Sequence, residues 1–454
     1  MTANIMPLSV IPGPKPLPLI GNLRYLRLNT HRALVRAREE YGDLVHFQIN
    51  GRHLYLAAHP DDVRYILVEN NRNYHKGRGI QKAKPLLGEG LLTSEDDFWR
   101  RQRRLAQPAF HRQQIANLAD TMTASTTTLI ERWRPLAQSG AAVNVAEEMM
   151  VLTLDIVTRA LFSTALTADE VHEVGESVTP LLRLAITRTQ AVFDFVEKLP
   201  LPSNRRFERL GAQLDRIVYR IIETRRQRGA DHDDLLGMLM SAQDEESGES
   251  MTDTQLRDEV MTLFLAGHET TALLLSWTWA LLSWHPDVRR RAQAEVDQVL
   301  GGRTPTAEDV SRLPYLGMIL AETMRLYPPA WAIPRRPLAD DEIRGYRIPA
   351  GCTVLVSPYV SHRHPDFWQN PEGFDPERFT PDAAKDRHRF AYFPFGGGPR
   401  ICIGNNFALM EATLAAAMIL QRYEINLLPG HMVEAETSFT LRPKHGVPVT
   451  IKAR

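Results

Sequence analysis

From Thr252 to Trp284 the chain contains no proline and no cluster of turn-forming residues. As one helix this stretch would run about 50 Å at 1.5 Å per residue, long enough to cross a whole domain. Pro286 lies just beyond its end, where a helix would have to stop or restart. Its apolar run, Leu273 to Leu282, is interrupted by Ser276 and Thr278. That suits a buried helix better than a membrane span, which needs about 20 apolar residues in a row. A chain carrying such a rod has to assemble its other elements around it.

The flanks have a different texture. Residues Pro12 to Pro18 carry a proline at every second position and should run extended. The β-like runs "LVHFQI" and "HLYLAA" follow, with Asn50-Gly51 between them, a strong hairpin signal. From about Pro60 to Leu326 the pattern is mostly helical. After Tyr327 come prolines, "DEIRGYRIPAG" and the β-like "CTVLVSPYV", then the loop "RHPDFWQNPEGFDPERF". A helix should resume near Asn405, and the last residues read as closing hairpins. The expected fold class is mainly α (α+β), helix-rich with small sheets, in a single domain over residues 1–454.

Composition narrows the function classes. Lys+Arg and Asp+Glu are equal at 54 each, which argues against a dedicated nucleic-acid binder. Two cysteines in 454 residues cannot build a disulfide framework, so a reducing compartment is expected. The start lacks the apolar run of a membrane anchor and the basic region and apolar core of a signal peptide. These readings point to a cytoplasmic protein without a membrane anchor.

One of the two cysteines, Cys402, lies in "FPFGGGPRICIGNNFALMEA", residues 393–412. Glycine-rich backbone precedes it and a helix start follows. A helix N-terminus and a neighbouring cation, Arg400, both favour a thiolate. Alone, Cys402 could equally be a small buried hydrophobe. The whole pattern is more specific. Phe395, Gly398, Arg400, Cys402 and Gly404 fit F-x-x-G-x-R-x-C-x-G at every fixed position, and in this the chain resembles the cytochrome P-450 family. The resemblance implies haem b (iron protoporphyrin IX) with Cys402 as the axial metal ligand. Such a ligand favours O–O cleavage. Phe395 would pack beside the sulfur, Arg400 would pair with a propionate, and the glycines would let backbone approach the porphyrin.

Three further motifs occur in the family's order. Within the long helix, Ala266-Gly267-His268-Glu269-Thr270-Thr271 is similar to the oxygen-activation sequence. By resemblance Thr270 and Glu269 are the catalytic pair that handles protons, and Ala266 borders the haem. A Thr hydroxyl can bond back to the preceding turn and bend the helix, and Gly267 weakens it by about 1 kcal/mol relative to Ala. His268 occupies the variable position and reads as a structural residue. In "ILAETMRLYPP", Glu322 and Arg325 are three apart on one helix face and match E-x-x-R. Arg378 of "FDPERF" would join them in a structural lock on the segment that leads to Cys402. In "DDFWRRQRRLAQ", Trp99 and Arg103 are four apart and match W-x-x-x-R, implying a propionate clamp by planar donors. By resemblance, Arg335 ahead of "LADDEIRGY" would be a further propionate partner, with Arg336 the next candidate.

The implied activity is a haem-thiolate monooxygenase inserting one oxygen atom of O2 into a lipophilic substrate, a fatty acid or terpenoid. Leu92, Leu263, Ala330 and Trp331 would border the substrate pocket, with residues 181–195 as its roof. Only about 50 residues follow Cys402, too few for a flavin or nicotinamide domain. Electrons from NAD(P)H would therefore arrive through a separate ferredoxin or flavodoxin/flavoprotein reductase system. Lys385, Arg387, Arg389 and the arginines at 100–104 could dock that donor. Two other classes compete. A peroxide-driven haem-thiolate enzyme tends to lack the Thr270–Glu269 pair, and a haem-based sensor leaves that pair unexplained.

Overall fold

The computed structural model describes residues 11–27, 29–162, 177, 180–181, 184, 199–228 and 234–454. They divide into two compact units. One is Met1–Gln81, Met324–Cys402 and Glu436–Leu441; the other is Lys82–Thr323, Ile403–Ala435 and Arg442–Arg454.

The first unit is built on a five-stranded sheet. The predicted hairpin forms from Leu44–Ile49 and Arg52–Ala57, with Ile49 opposite Arg52. Asn50 and Gly51 take φ of 49° and 76°, the paired left-handed conformation of a two-residue hairpin turn. Thr353–Val356 pairs parallel with the second hairpin strand. Ile333–Pro337 and then Tyr74–Lys76 complete the sheet antiparallel. Side chains alternate between faces along each strand. Val45, Phe47, Leu56 and Leu355 pack with Ala33, Leu34 and Ala37 of the helix Thr30–Tyr41. Leu44, Tyr55, Val354 and Val356 pack with Val63, Ile66, Leu67, Phe390 and Phe393 on the other face. The hairpin anchors a two-faced core because its residues are apolar on both pleats.

The second unit is helical around the long rod. The helix is Asp253–Trp284, capped by Thr252. Thr252 Oγ1 accepts from the Gln255 N–H at 3.3 Å, and Gln255 Oε1 accepts from the Thr252 N–H at 2.9 Å. This reciprocal pair satisfies two donors that a helix start leaves unpaired. Pro286 opens the next helix, so the rod ends where the sequence requires. The helix Val145–Phe162 packs along it, and Trp279 Nε1 donates to Met149 Sδ at 3.3 Å. Asn405–Arg422 is the helix expected after Cys402, and it too packs against the rod. A small antiparallel sheet, Ala142–Asn144, Pro448–Ala453 and Tyr423–Leu427, closes this unit. Among the described residues no helix is long and apolar enough to cross a membrane.

Candidate functional site

In the first unit the thiol loop is held by its own backbone. The Cys402 N–H donates to the Phe395 carbonyl at 2.9 Å, and the Ile401 N–H to the Gly398 carbonyl at 3.2 Å. Phe395 and Arg400 are half-buried and Cys402 is exposed at the loop's surface. Gly398 has φ of 68°, and a β-carbon there would stand 1.9 Å from the Leu67 carbonyl oxygen. A β-carbon at Gly397 would stand 2.4 Å from the Phe390 ring. These two glycines are thus required by packing inside the protein, whereas the sequence suggested approach to a porphyrin. The other cysteine, Cys352, is half-buried, and burial pushes its thiol up to about 12.

Arg335 and Arg336 fall on the strand Ile333–Pro337, so adjacent side chains point to opposite faces. Arg335 is half-buried and Arg336 exposed, a distinction the sequence left open. Trp331 is half-buried, and its Nε1 donates to the Ser438 carbonyl at 3.0 Å; Ala330 beside it is exposed.

Arg325 is fully buried and donates to the carbonyls of His362 at 3.1 Å, Pro371 at 2.6 Å and Gly373 at 2.8 Å. Arg378 donates to the carbonyls of Gln369 and Asn370. Both arginines therefore clamp the backbone of one meander from side chains. Glu322 is fully buried on the same helix as Arg325, Pro314–Leu326.

In the second unit the rod carries the informative pattern. Between Leu256 and Leu282 every residue is buried except Leu263, Ala266, Gly267 and Thr270. Those four are spaced three, one and three apart, so they form one stripe on one helix face. Thr270 Oγ1 donates back to the Ala266 carbonyl at 2.8 Å, and Glu269 is buried beside it. His268 faces the interior, with Nδ1 3.1 Å from the Phe264 carbonyl, and burial pushes its pKa down to about 4. It is a neutral core histidine, as the motif position implied.

The loop bearing Leu92 is pinned to the same helix. The Glu89 N–H donates to Asp258 Oδ2 at 2.8 Å and the Leu91 N–H to Glu259 Oε2 at 3.1 Å. Glu259 precedes Leu263 by one turn, and Leu92, next to the pinned Leu91, is half-buried. Trp99 is buried and Arg103 half-buried on the helix Asp96–Ala106. The remaining arginines of that helix are not an open basic face. Arg100 pairs with Asp97, Arg101 with Glu249, and Arg104 with Asp244 and Glu246. Arg387 lies 4.2 Å over the Trp368 ring and donates to the Arg378 carbonyl. The proposed roof, residues 181–195, lies outside the described residues apart from Leu181, which is buried, and position 184.

Several residues of the site carried no sequence signal as part of any motif. Asp258 and Glu259 hold the Leu92 loop. Glu411 is fully buried in the Asn405–Arg422 helix, where burial pushes its carboxyl well above the usual range. An acid inside "FALMEATLAAAMIL" was the available hint. Thr153 is a third case, taken up below.

These residues fit a thiolate-ligated haem. A thiol is exposed on a loop fixed by packed glycines, half-buried Arg335 and Arg400 belong to the same unit, and Trp99 with Arg103 and an accessible apolar and hydroxyl stripe belong to the other.

Comparison with known proteins agrees. The family model described as Cytochrome P450 matches residues 11–449. Cyclooctatin synthase from Streptomyces melanosporofaciens is 39% identical, over 96% of this chain and 95% of its own. Cyclooctat-9-en-7-ol 5-monooxygenase from the same organism is 38% identical, over 92% of this chain and 90% of its own. The crystal structure of the cytochrome P450DA heme domain superposes with a TM-score of 0.89 at 31% identity, covering 98% of both chains.

Proposed function

The chain belongs to the cytochrome P450 family, and from that premise we propose that it oxygenates a ring-bearing, mostly hydrocarbon substrate of terpenoid type. As a haem-thiolate monooxygenase it uses haem b and O2, with electrons delivered by a redox partner. The haem, when bound, supplies reductive activation of O2. The chain's own residues bind, orient and manage protons. Cys402 is the thiolate ligand, Phe395 and Gly404 shape its loop, and Trp99, Arg103, Arg335 and Arg400 hold the propionates. Thr270 accepts and passes protons at its hydroxyl, supplied by Glu269, while Ala266 keeps the helix face low enough for O2. Leu92, Leu263, Ala330 and Trp331 exclude water and offer apolar contact.

The carrying observation is the stripe Leu263, Ala266, Gly267 and Thr270, accessible in a helix otherwise buried from Leu256 to Leu282. It puts an apolar lining and a hydroxyl on one face, the combination that substrate oxidation with proton delivery needs. The substrate class is supported by that lining and by the relative whose name records action on cyclooctat-9-en-7-ol. Buried Glu269 beside Thr270 favours reductive over peroxide-driven turnover. The donor is a ferredoxin or flavodoxin system, and the compartment the cytoplasm. The two units are interleaved in sequence, so we read them as one domain.

A reduced, carbon monoxide-bound absorption spectrum of the holoenzyme tests the assignment. The red-shifted Soret band of thiolate ligation is expected, and Cys402→Ala abolishes it. Titration with terpene alcohols and with fatty acids should give a spin-state shift for the former. A shift only with fatty acids overturns the substrate class, and a thiolate spectrum that survives Cys402→Ala overturns the ligand.

A further inference from the structure

Three consecutive carbonyls of the long helix each receive a side-chain hydroxyl. Thr270 donates to Ala266 at 2.8 Å and Thr271 to Gly267 at 3.4 Å, both from within the helix. The third donor comes from outside. Thr153, fully buried in the helix Val145–Phe162, places its Oγ1 2.8 Å from the His268 carbonyl. Its own-helix alternatives are longer, Met149 at 3.0 Å and Met150 at 3.4 Å. A hydroxyl has one proton to donate, and the shortest contact here is the one between helices.

The neighbouring packing holds this contact in register. One turn along from Thr153, Val157 lies where a β-carbon at Gly267 would meet its Cγ2 at 3.0 Å. Residues 153 and 157 of one helix thus face 268 and 267 of the other at backbone range. Gly267 gives that approach room, and Thr153 uses it. A carbonyl can accept twice, but a second donor draws it off the helix axis and weakens its bond to the amide four residues on. For His268 that amide belongs to Ala272, so the weakened turn is the one bearing Glu269 and Thr270.

We propose that Thr153 is a positioning residue for Glu269 and Thr270: its hydroxyl pulls the His268 carbonyl toward the Val145–Phe162 helix and keeps the intervening turn open. The proposal rests on the reading of Glu269 and Thr270 as the proton-handling pair. It assigns Thr153 no contact with substrate or haem.

The test compares Thr153→Val, which keeps the shape and removes the O–H, with Thr153→Ser, which keeps the O–H. In the holoenzyme, hydrogen exchange of the peptide spanning 264–275 is expected to slow about three- to tenfold in Thr153→Val and to stay near the parent in Thr153→Ser. The share of reducing equivalents recovered as product should fall several-fold in Thr153→Val and recover in Thr153→Ser. The midpoint of the substrate-induced spin shift should not move. Parent-like exchange in Thr153→Val overturns the proposal. So does changed exchange with parent-like coupling when Thr270→Ala itself uncouples. If Thr270→Ala leaves coupling intact, the proton-handling reading has failed, and the exchange result still decides whether Thr153 opens the turn. Should Thr153→Val not fold, Thr153→Ala carries the same comparison.

Discussion

A β-carbon on Gly398 would lie 1.9 Å from the carbonyl oxygen of Leu67, and Gly398 already sits at φ of 68°. Both facts exclude any side chain. Gly398→Ala must distort the thiol loop or push back residues 67–68. The left-handed conformation costs about 1–2 kcal/mol and overpacking about 1–3 kcal/mol more. The variant is expected to unfold several degrees lower and to purify with less haem per chain, read from the ratio of Soret to protein absorbance. Equal haem content and equal thermal midpoint would contradict this.

Arg325 gives a second test. Its guanidinium is fully buried, satisfies three carbonyls and lies 5.0 Å from the Trp368 ring centroid. Lysine carries the charge but not the planar fork, so Arg325→Lys is not conservative. Breaking a buried charged network costs about 3–5 kcal/mol. By contrast, Arg134 pairs with Glu131 at 2.8 Å on the surface, and Arg134→Gln should stay within about 0.5 kcal/mol. Denaturant midpoints of the two variants compared with the parent check both values.

Glu411 should make stability depend on pH in an unusual direction. Burial raises its folded pKa well above the usual carboxylate range. Above the unfolded pKa the folded state then holds a proton that the unfolded state releases, so stability falls as pH rises toward the folded pKa. The slope from one such group is at most about 1.4 kcal/mol per pH unit. Glu411→Gln, which stays neutral, should gain on the parent in thermal midpoint as the pH rises above the unfolded carboxyl's pKa. A difference independent of pH would show that the carboxyl is ionised when buried.

The arginines of the Asp96–Ala106 helix offer a test of donor docking. Arg104 is held by Asp244, whose carboxyl the Arg104 hydrogen bond keeps below the usual carboxylate range, and by Glu246. Arg104→Glu is expected to lower the thermal midpoint. Arg100→Glu loses only its surface pair with Asp97 and should not lower it. Each reversal shifts the local charge by two units whatever the pairing, so with the donor docking away from this helix the salt dependence of reduction by a ferredoxin should stay near the parent's. A marked loss of that salt dependence in Arg100→Glu would restore this helix as a docking face.

What could be read locally was read correctly. The hairpin at Asn50-Gly51, the rod capped at Thr252 and ended before Pro286, and the helix resuming at Asn405 all depend on neighbours in sequence. Periodicity, capping chemistry and turn residues act over a few positions, so one chain suffices. The family was legible for the same reason, because its motifs around Cys402 and Thr270 are contiguous. Arg335 and Arg336 were not separable, because only the strand's pleat makes one half-buried and the other exposed. Arg101 and Arg104 read as part of a basic surface because their acidic partners at 244–249 are remote in sequence.

The sequence by itself determined the elements, the thiol loop and the order of its motifs, since each is encoded by contiguous residues. Only the tertiary structure decided that Gly398 answers to Leu67, that Thr153 reaches the His268 carbonyl, and that four residues between Leu256 and Leu282 stay accessible while the others in that stretch are buried. Those outcomes depend on which surfaces meet. Burial and hydrogen bonding between distant segments are properties of the packed chain, and no local pattern specifies the partner.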